Sequence, residues 1–216
     1  MSTAVITGAA SGIGLALTSV HLERGIQVVM VDINQELLMQ QAERLGALFP
    51  DLIIPLICDV TQADAVNELA LSISSQVGSI DWIYNNAGII GPLGPVWELE
   101  PEAIKRVMDV NLFGMLHMIR SFMPLLSKQQ SASHIINMAS LYALCSGSHM
   151  AAYSMSKHAV LALSESLYFD LQRMQKPVDV SVVFPSFTDT ALLSPAGSNS
   201  RFQESLSNLL SHSRPA

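Results

Sequence analysis

The chain has 216 residues, half of them hydrophobic, and a formal charge of −7 at pH 7. This is enough for one well-buried core, and the negative balance argues against nucleic acid, an anionic membrane surface or an acidic carrier protein as partners, since none is attracted electrostatically. The two cysteines, Cys58 and Cys145, lie far apart, with no Cys-x-x-Cys and no histidine at ligand spacing; with no apolar run near the length of a membrane span, the sequence reads as a soluble, cytoplasmic protein with neither a disulfide framework nor a metal site.

Ala4 to Thr7 is an apolar run that stops at small residues, and helical spacing resumes from Gly14. The reading is strand, tight turn, helix. Gly8, Gly12 and Gly14 let the chain turn sharply and leave room above the helix start, where unpaired N–H groups and the helix dipole can hold a phosphate. A short glycine pattern is equally a mark of an ordinary turn, so context decides. The next β-branched run, Ile26 to Val31, ends at Asp32, eighteen residues past Gly14. A carboxylate there is placed to accept hydrogen bonds from an adenosine ribose and to repel a 2′-phosphate. Neither Ser11 nor Ile33, Asn34 and Gln35 supplies a basic group, so NAD is favoured and NADP is less favoured.

Asn34 reads as the N-cap of a helix ending at Gly46. Leu52 to Ile57 is a third strand, placed at an edge by Pro55. Thr61 and Asp64 resemble a capping pair for a helix running to Gly78. Ile80 to Tyr84 is a fourth strand, followed by Asn85-Asn86-Ala87-Gly88 and a loop rich in Gly and Pro through Pro95. Pro101 opens one long helix with Pro124 near its end. His134 to Met138 is a fifth strand with Ser140 just beyond, Ala151 to Met174 a second long helix, and Val178 to Phe184 a sixth strand before Pro185. Strands alternating with helices imply an α/β fold, a doubly wound parallel sheet covered on both faces. Ligands bind beyond the carboxyl ends of such strands, where Gly8, Asp32, Asp59, Asn86, Ser140 and Pro185 fall.

Tyr153 and Lys157 stand four residues apart and share one helix face. Pairs of this kind are usually solvated surface; here Ser140 precedes Tyr153 by thirteen residues, at a strand end facing the proposed cleft. The pieces Thr7-Gly8-x-x-x-Gly12-Ile13-Gly14, Asp59, Asn85-Asn86-Ala87-Gly88, Asn111, Ser140, Tyr153-x-x-x-Lys157 and Pro185 through Thr190 occur together over nearly the whole chain. In this the sequence resembles the short-chain dehydrogenase/reductase family.

The resemblance implies a Rossmann-type sheet in order 3-2-1-4-5-6 and an NAD-dependent oxidoreductase. A hydride passes between nicotinamide and a secondary alcohol or ketone, with Tyr153 as general acid and base. Lys157 tunes the phenol, whose ordinary pKa of about 10 is too high for a base near neutrality, and binds the nicotinamide ribose. Ser140 orients the substrate oxygen, and Asn111 holds a water that links Lys157 to solvent. Gly8, Ser11, Gly12, Ile13 and Gly14 would surround the pyrophosphate, Asp32 and Ile33 the ribose side, and Asp59 and Val60 the adenine. Asn86, Ala87 and Gly88 would form the floor near the nicotinamide ribose, and Pro185, Thr188 and Thr190 would meet the carboxamide. For Asn85 and Asn86 a strand-end structural role is an equal alternative, and for Asn111 a bond to a neighbouring carbonyl.

The chain departs from the family pattern in two places. Ser186 replaces the usual Gly, which would cost about 1–2 kcal/mol if the backbone there is left-handed. After Thr190 the sequence offers a Ser-rich stretch and one amphipathic segment, not another long helix and a seventh strand. Residues 1–190 are therefore read as the dinucleotide-binding and catalytic domain and 191–216 as its substrate-loop region and short tail. The competing reading is a catalytically weak or inactive dinucleotide-binding scaffold. Candidate substrate-facing residues are Tyr142, Leu144, Cys145, His149, Phe187, Leu192 and Leu193; with no Arg or Lys among them, they suit an uncharged or apolar small molecule. A homodimer or homotetramer is expected by resemblance, through the long helices.

Overall fold

Every residue of β1 (Thr3–Thr7) is buried, as a strand covered by protein on both faces is. It pairs in parallel with β2 (Gln27–Asp32) on one side and β4 (Trp82–Asn85) on the other. With β3 (Ile53–Ile57), β5 (Ser133–Met138) and β6 (Val178–Val183) they form a six-stranded parallel sheet in the order β3-β2-β1-β4-β5-β6, the Rossmann-type order. Pro55 lies on edge strand β3, where a missing N–H is tolerated. This is a computed structural model, in which the described residues are 1–186 and, for the backbone, 188–189 and 214–215.

The helices are α1 (Gly12–Glu23), α2 (Gln35–Gly46), α3 (Ala63–Gln76), α4 (Pro101–Met108), α5 (Gly114–Leu126) and α6 (Ala151–Met174). Side chains alternate across the strands and so feed two cores. Ala4, Ile6, Val28 and Met30 meet Leu22 of α1 and Leu38 and Ala42 of α2. Val5, Val29, Ile83 and Ile135 meet Val66 and Leu69 of α3 and Phe122 and Leu126 of α5. Met115, Ile119, Ala143 and Val160 then join α5 to α6. Each fully buried side chain of Leu, Ile or Phe size contributes about 1.5–3 kcal/mol, so the sheet's carboxyl edge is presented by a stiff frame.

Several local expectations change. Asn34 does cap α2, accepting from the Leu37 N–H. Thr61 does not cap α3: its N–H and hydroxyl both donate to Asp59 Oδ1, at 2.9 and 2.8 Å, and Gln62 is the N-cap. The carboxylate two residues upstream outcompetes the helix for the threonine. The helix ends at Gln76, before Gly78. The segment opened by Pro101 is not one continuous helix, because a π turn, Asp109–Phe113, separates α4 from α5. Pro124 falls in the last turn of α5 without ending it. Ser186 is not among the left-handed non-glycine residues, which in the described part are Asp51, His149 and Gln175, so the expected strain at position 186 is absent. Two short strands, β7 (Thr188–Asp189) and β8 (Arg214–Pro215), pair in parallel apart from the main sheet. The amphipathic segment after Thr190 and the boundary drawn there lie outside the described residues.

Candidate active site

The glycine turn is built so that no side chain fits. Gly8 has φ +66°, and a Cβ there would lie 2.9 Å from Asn86 Nδ2 and 3.1 Å from Ala87 Cα; at Gly14 it would lie 2.1 Å from the Gly8 carbonyl oxygen. Gly12 also has positive φ. Ser11, the N-cap of α1, is extended and makes no side-chain cap bond, and Ile13 follows in the first turn. This leaves a shallow cradle over a helix N-terminus, suited to a pyrophosphate. Asn86 supports it: Nδ2 donates to the carbonyls of Thr7 and Gly8 at 2.9 and 3.3 Å. Thr7 Oγ1 accepts the N–H groups of Asn86 and Ala87 and donates to the Tyr84 carbonyl, tying β1 to the end of β4.

Asp32 ends β2 beside this cradle. Its Oδ2 accepts the Ala10 N–H at 3.0 Å and its Oδ1 the Asn34 N–H at 2.9 Å, which fixes the carboxylate while leaving further lone pairs for a ligand's hydroxyls. Ile33 beside it is exposed. Asp59 stands past β3 with Oδ1 engaged by Thr61, and Val60 beside it is buried. These groups fit a dinucleotide: a side-chain-free cradle for the diphosphate and two carboxylates at successive strand ends.

The floor continues through Gly88, where a Cβ would lie 3.1 Å from Asn111 Oδ1 and 3.6 Å from Lys157 Nζ. Asn111, buried in the π turn, accepts the Ile89 N–H at 2.8 Å and donates at 2.9 Å to both the Ile89 carbonyl and Ser156 Oγ. Both N–H groups are used, so a bound water would have to use the second lone pair of Oδ1 or a backbone carbonyl of the π turn. Asn85 Nδ2 donates to Asn137 Oδ1, whose own amide reaches Ser164 on α6. Both asparagines of the Asn-Asn-Ala-Gly run thus hold strand ends.

Tyr153 and Lys157 share the buried face of α6, at 7% and 5% exposure. Lys157 Nζ lies 5.6 Å from the Tyr153 ring centroid and donates at 2.7 Å to the Met138 carbonyl. Burial pushes the phenol's pKa up, more strongly than its hydrogen bond with Ser140 lowers it, and Tyr142 adds to the rise. Burial also lowers the Lys157 pKa to about 8. Burial is the largest cause of the shift at both groups. Ser140 is buried at the end of β5 and accepts the Tyr142 N–H at 3.3 Å. Tyr142 is half-buried, with its ring edge-on to that of Tyr153 at 6.0 Å.

The Pro185 carbonyl accepts the Leu141 N–H at 3.1 Å, joining the loops after β5 and β6. Leu144 and Cys145 are exposed, and His149 is half-buried in a left-handed conformation one turn before Tyr153. Phe187, Thr190, Leu192, Leu193 and the Thr188 side chain lie outside the described residues. Sequence reading assigned no role to Thr7 or Ser156. Ser156 was findable, since Tyr153, Ser156, Lys157 and Val160 follow the i, i+3, i+4, i+7 pattern of one buried face. Among the described residues no group of three His, Cys, Asp or Glu could hold a metal ion, and no helix is long and apolar enough to cross a membrane.

Comparison with known proteins agrees with this geometry. A 1-deoxy-11-beta-hydroxypentalenate dehydrogenase of Streptomyces avermitilis is 41% identical over 192 residues, covering 88% of this chain and 70% of its own length. A short-chain dehydrogenase/reductase of Burkholderia phymatum, solved in complex with NAD, superposes with a TM-score of 0.89 at 31% identity, over 98% of this chain and 78% of that one. A short-chain dehydrogenase of Shigella flexneri complexed with NADP shares the fold at 24% identity, with a TM-score of 0.84 over 91% of this chain and 81% of that one. The model of the short chain dehydrogenase family matches residues 2–201, and the chain belongs to that family.

Proposed function

We propose that the protein is an NAD(H)-dependent dehydrogenase or reductase acting on a secondary alcohol or ketone carried by a largely apolar small molecule. The observation that carries the reading is the convergence of Ser140, Tyr153 and Lys157, all buried, next to Gly88 of the Asn86–Gly88 run that abuts the glycine cradle. When bound, NAD supplies the hydride acceptor and NADH the donor. Gly8, Ser11, Gly12, Ile13 and Gly14 hold its diphosphate, Asp32 its adenosine ribose, and Asp59 and Val60 its adenine. Asn86, Ala87, Gly88 and Lys157 flank the nicotinamide ribose, with Pro185, Thr188 and Thr190 on the carboxamide side.

Ser140 holds the substrate oxygen against the Tyr153 hydroxyl. During oxidation Tyr153 takes the proton of that oxygen, and during reduction it returns it. Lys157, its pKa lowered to about 8, exchanges a proton near neutrality and passes it toward solvent past Asn111. A scaffold would have no reason to carry a buried lysine, because burial of an ammonium disfavours the folded state. The Streptomyces relative's name, a hydroxypentalenate dehydrogenase, supports a hydroxylated substrate, and Tyr142 and Leu144 support an apolar one. The reading includes a cytoplasmic homodimer or homotetramer: Met155, Tyr168 and Phe169 are exposed along α6, and sedimentation at micromolar concentration tests the assembly.

The test is a screen of NAD⁺ with assorted secondary alcohols, followed at the NADH absorbance. Turnover should fall by about 10²-fold or more in Tyr153→Phe while NAD⁺ affinity stays unchanged. Equal turnover in the variant removes Tyr153 from the mechanism.

A further inference from the structure

His117, on α5, takes no part in the chemistry above, yet its ring is fixed against the proposed adenine site. Nδ1 lies 2.9 Å from the Val60 carbonyl oxygen. A carbonyl has no hydrogen, so Nδ1–H is the donor. The peptide unit that supplies this oxygen is the one joining Val60 to Thr61, and its N–H donates at 2.9 Å to Asp59 Oδ1. One peptide plane is thereby clamped at both ends, by an imidazole on one side and a carboxylate on the other. The Thr61 hydroxyl adds a second bond to the same carboxylate oxygen at 2.8 Å, so Oδ1 is the oxygen engaged within the turn and Oδ2 the one left for a ligand's donor. Gly114, three residues before His117 and so on the same helix face, lets α5 come this close: a Cβ there would lie 2.6 Å from Val60 Cγ2.

We propose that His117 is a positioning residue for base recognition, acting through the Val60–Thr61 peptide to aim the Asp59 carboxylate at the exocyclic amino group of adenine. The inference rests on the cofactor reading above. A carboxylate so aimed accepts from the adenine N6 amino group and repels the C6 carbonyl oxygen that hypoxanthine carries in its place. Without the imidazole the peptide plane is free to rotate, the Thr61 N–H leaves Asp59 with only the Thr61 hydroxyl still holding Oδ1, and discrimination between the two bases weakens. The hydride-transfer groups near Lys157 are untouched.

The experiment compares equilibrium binding of NAD⁺ and nicotinamide hypoxanthine dinucleotide, by calorimetry, in the unaltered protein and in Asp59→Ala, His117→Leu and His117→Asn. No substrate is required. The unaltered protein should bind NAD⁺ more tightly and Asp59→Ala should abolish the preference. His117→Leu should cut it by about tenfold, as expected for one lost charge-linked hydrogen bond. His117→Asn, whose Nδ2–H can stand where the imidazole Nδ1–H stands, should restore most of it. Equal weakening of both ligands in His117→Leu, or an unchanged preference there while Asp59→Ala loses it, overturns the role of His117 and leaves the cofactor reading intact. An unaltered protein without preference, or Asp59→Ala that keeps it, removes Asp59 from base recognition and His117 with it. Failure of both dinucleotides to bind defeats the cofactor reading itself.

Discussion

Asn111 in the π turn and Ser156 in α6 are joined by a 2.9 Å hydrogen bond from Nδ2 to Oγ, and the Ser156 hydroxyl in turn donates at 2.7 Å to the Tyr153 carbonyl. Asn111, Ser156 and Tyr153 are buried, so this short chain locks the helix bearing the Tyr153 phenol to the turn that grips Ile89. Ser156→Ala removes the centre of it and leaves a buried Asn111 N–H without its acceptor. Unfolding free energy should drop by about 1–3 kcal/mol in urea titration. Turnover should fall more than NAD⁺ affinity, because the disturbed spacing lies between Tyr153 and the floor. A variant as stable and active as the original would show that the bond positions nothing.

Asp32 sets the expected choice between NAD and NADP. Its two oxygens are anchored by the Ala10 and Asn34 N–H groups, so the carboxylate cannot swing aside to admit a 2′-phosphate. The unaltered protein should bind NAD⁺ at least about tenfold more tightly than NADP⁺, and Asp32→Ala should erase most of that ratio by removing the like-charge repulsion. Comparable affinities in the unaltered protein would end the claim.

Lys157 predicts an alkaline signature. Its pKa is lowered by burial from 10.5 to about 8, so between these values the unfolded chain holds more protons than the folded one. Unfolding free energy should therefore rise with pH from about 8 to about 10.5, the burial penalty being full below that window. Tyr153 acts oppositely: its pKa is raised above 10.0 by burial, so stability falls once the pH passes 10. Cys58, its pKa pushed up by burial from 9.0 to about 11, opposes the rise above pH 9, so denaturant midpoints should climb between about pH 8 and 9, and Lys157→Met should flatten that climb. A rise that persists in the variant belongs to another group.

The strands and the strand-end positions of Gly8, Asp32, Asp59 and Ser140 were legible in the sequence because apolar runs and glycine spacing are local signals, whereas the order of the strands in the sheet came only through the family resemblance. What was not legible depended on competition between distant or adjacent groups. Thr61 looks like a helix cap until Asp59 claims it. The helix pattern from Ile104 to Leu116 conceals a π turn, since one extra residue in a turn scarcely disturbs apolar spacing while the bonds that stabilise it run from Asn111 to Ile89 and Ser156. The phenol's raised pKa likewise comes from burial by the whole fold, which the Tyr-x-x-x-Lys spacing does not convey.

Gly14 offers the sharpest test of the cradle. It lies in the first turn of α1, where alanine would ordinarily be the better helix former by about 0.5–1 kcal/mol. Here the added Cβ would stand 2.1 Å from the Gly8 carbonyl oxygen and 2.7 Å from Asn86 Nδ2, both parts of the cradle proposed to hold the diphosphate. Backbone cannot retreat without moving β1 or the Asn86 bonds, so Gly14→Ala should lose at least about 1–3 kcal/mol, as overpacked sites do, and weaken NAD⁺ binding. Gly46, the last residue of α2, is the control: a Cβ there meets nothing within 4 Å and its φ is not left-handed, so Gly46→Ala should be neutral or slightly stabilising. Urea unfolding and NAD⁺ calorimetry on the two variants separate helix propensity from cradle sterics. If Gly14→Ala behaves like Gly46→Ala in both, the close approach of α1 to the Gly8 turn is not what shapes the site.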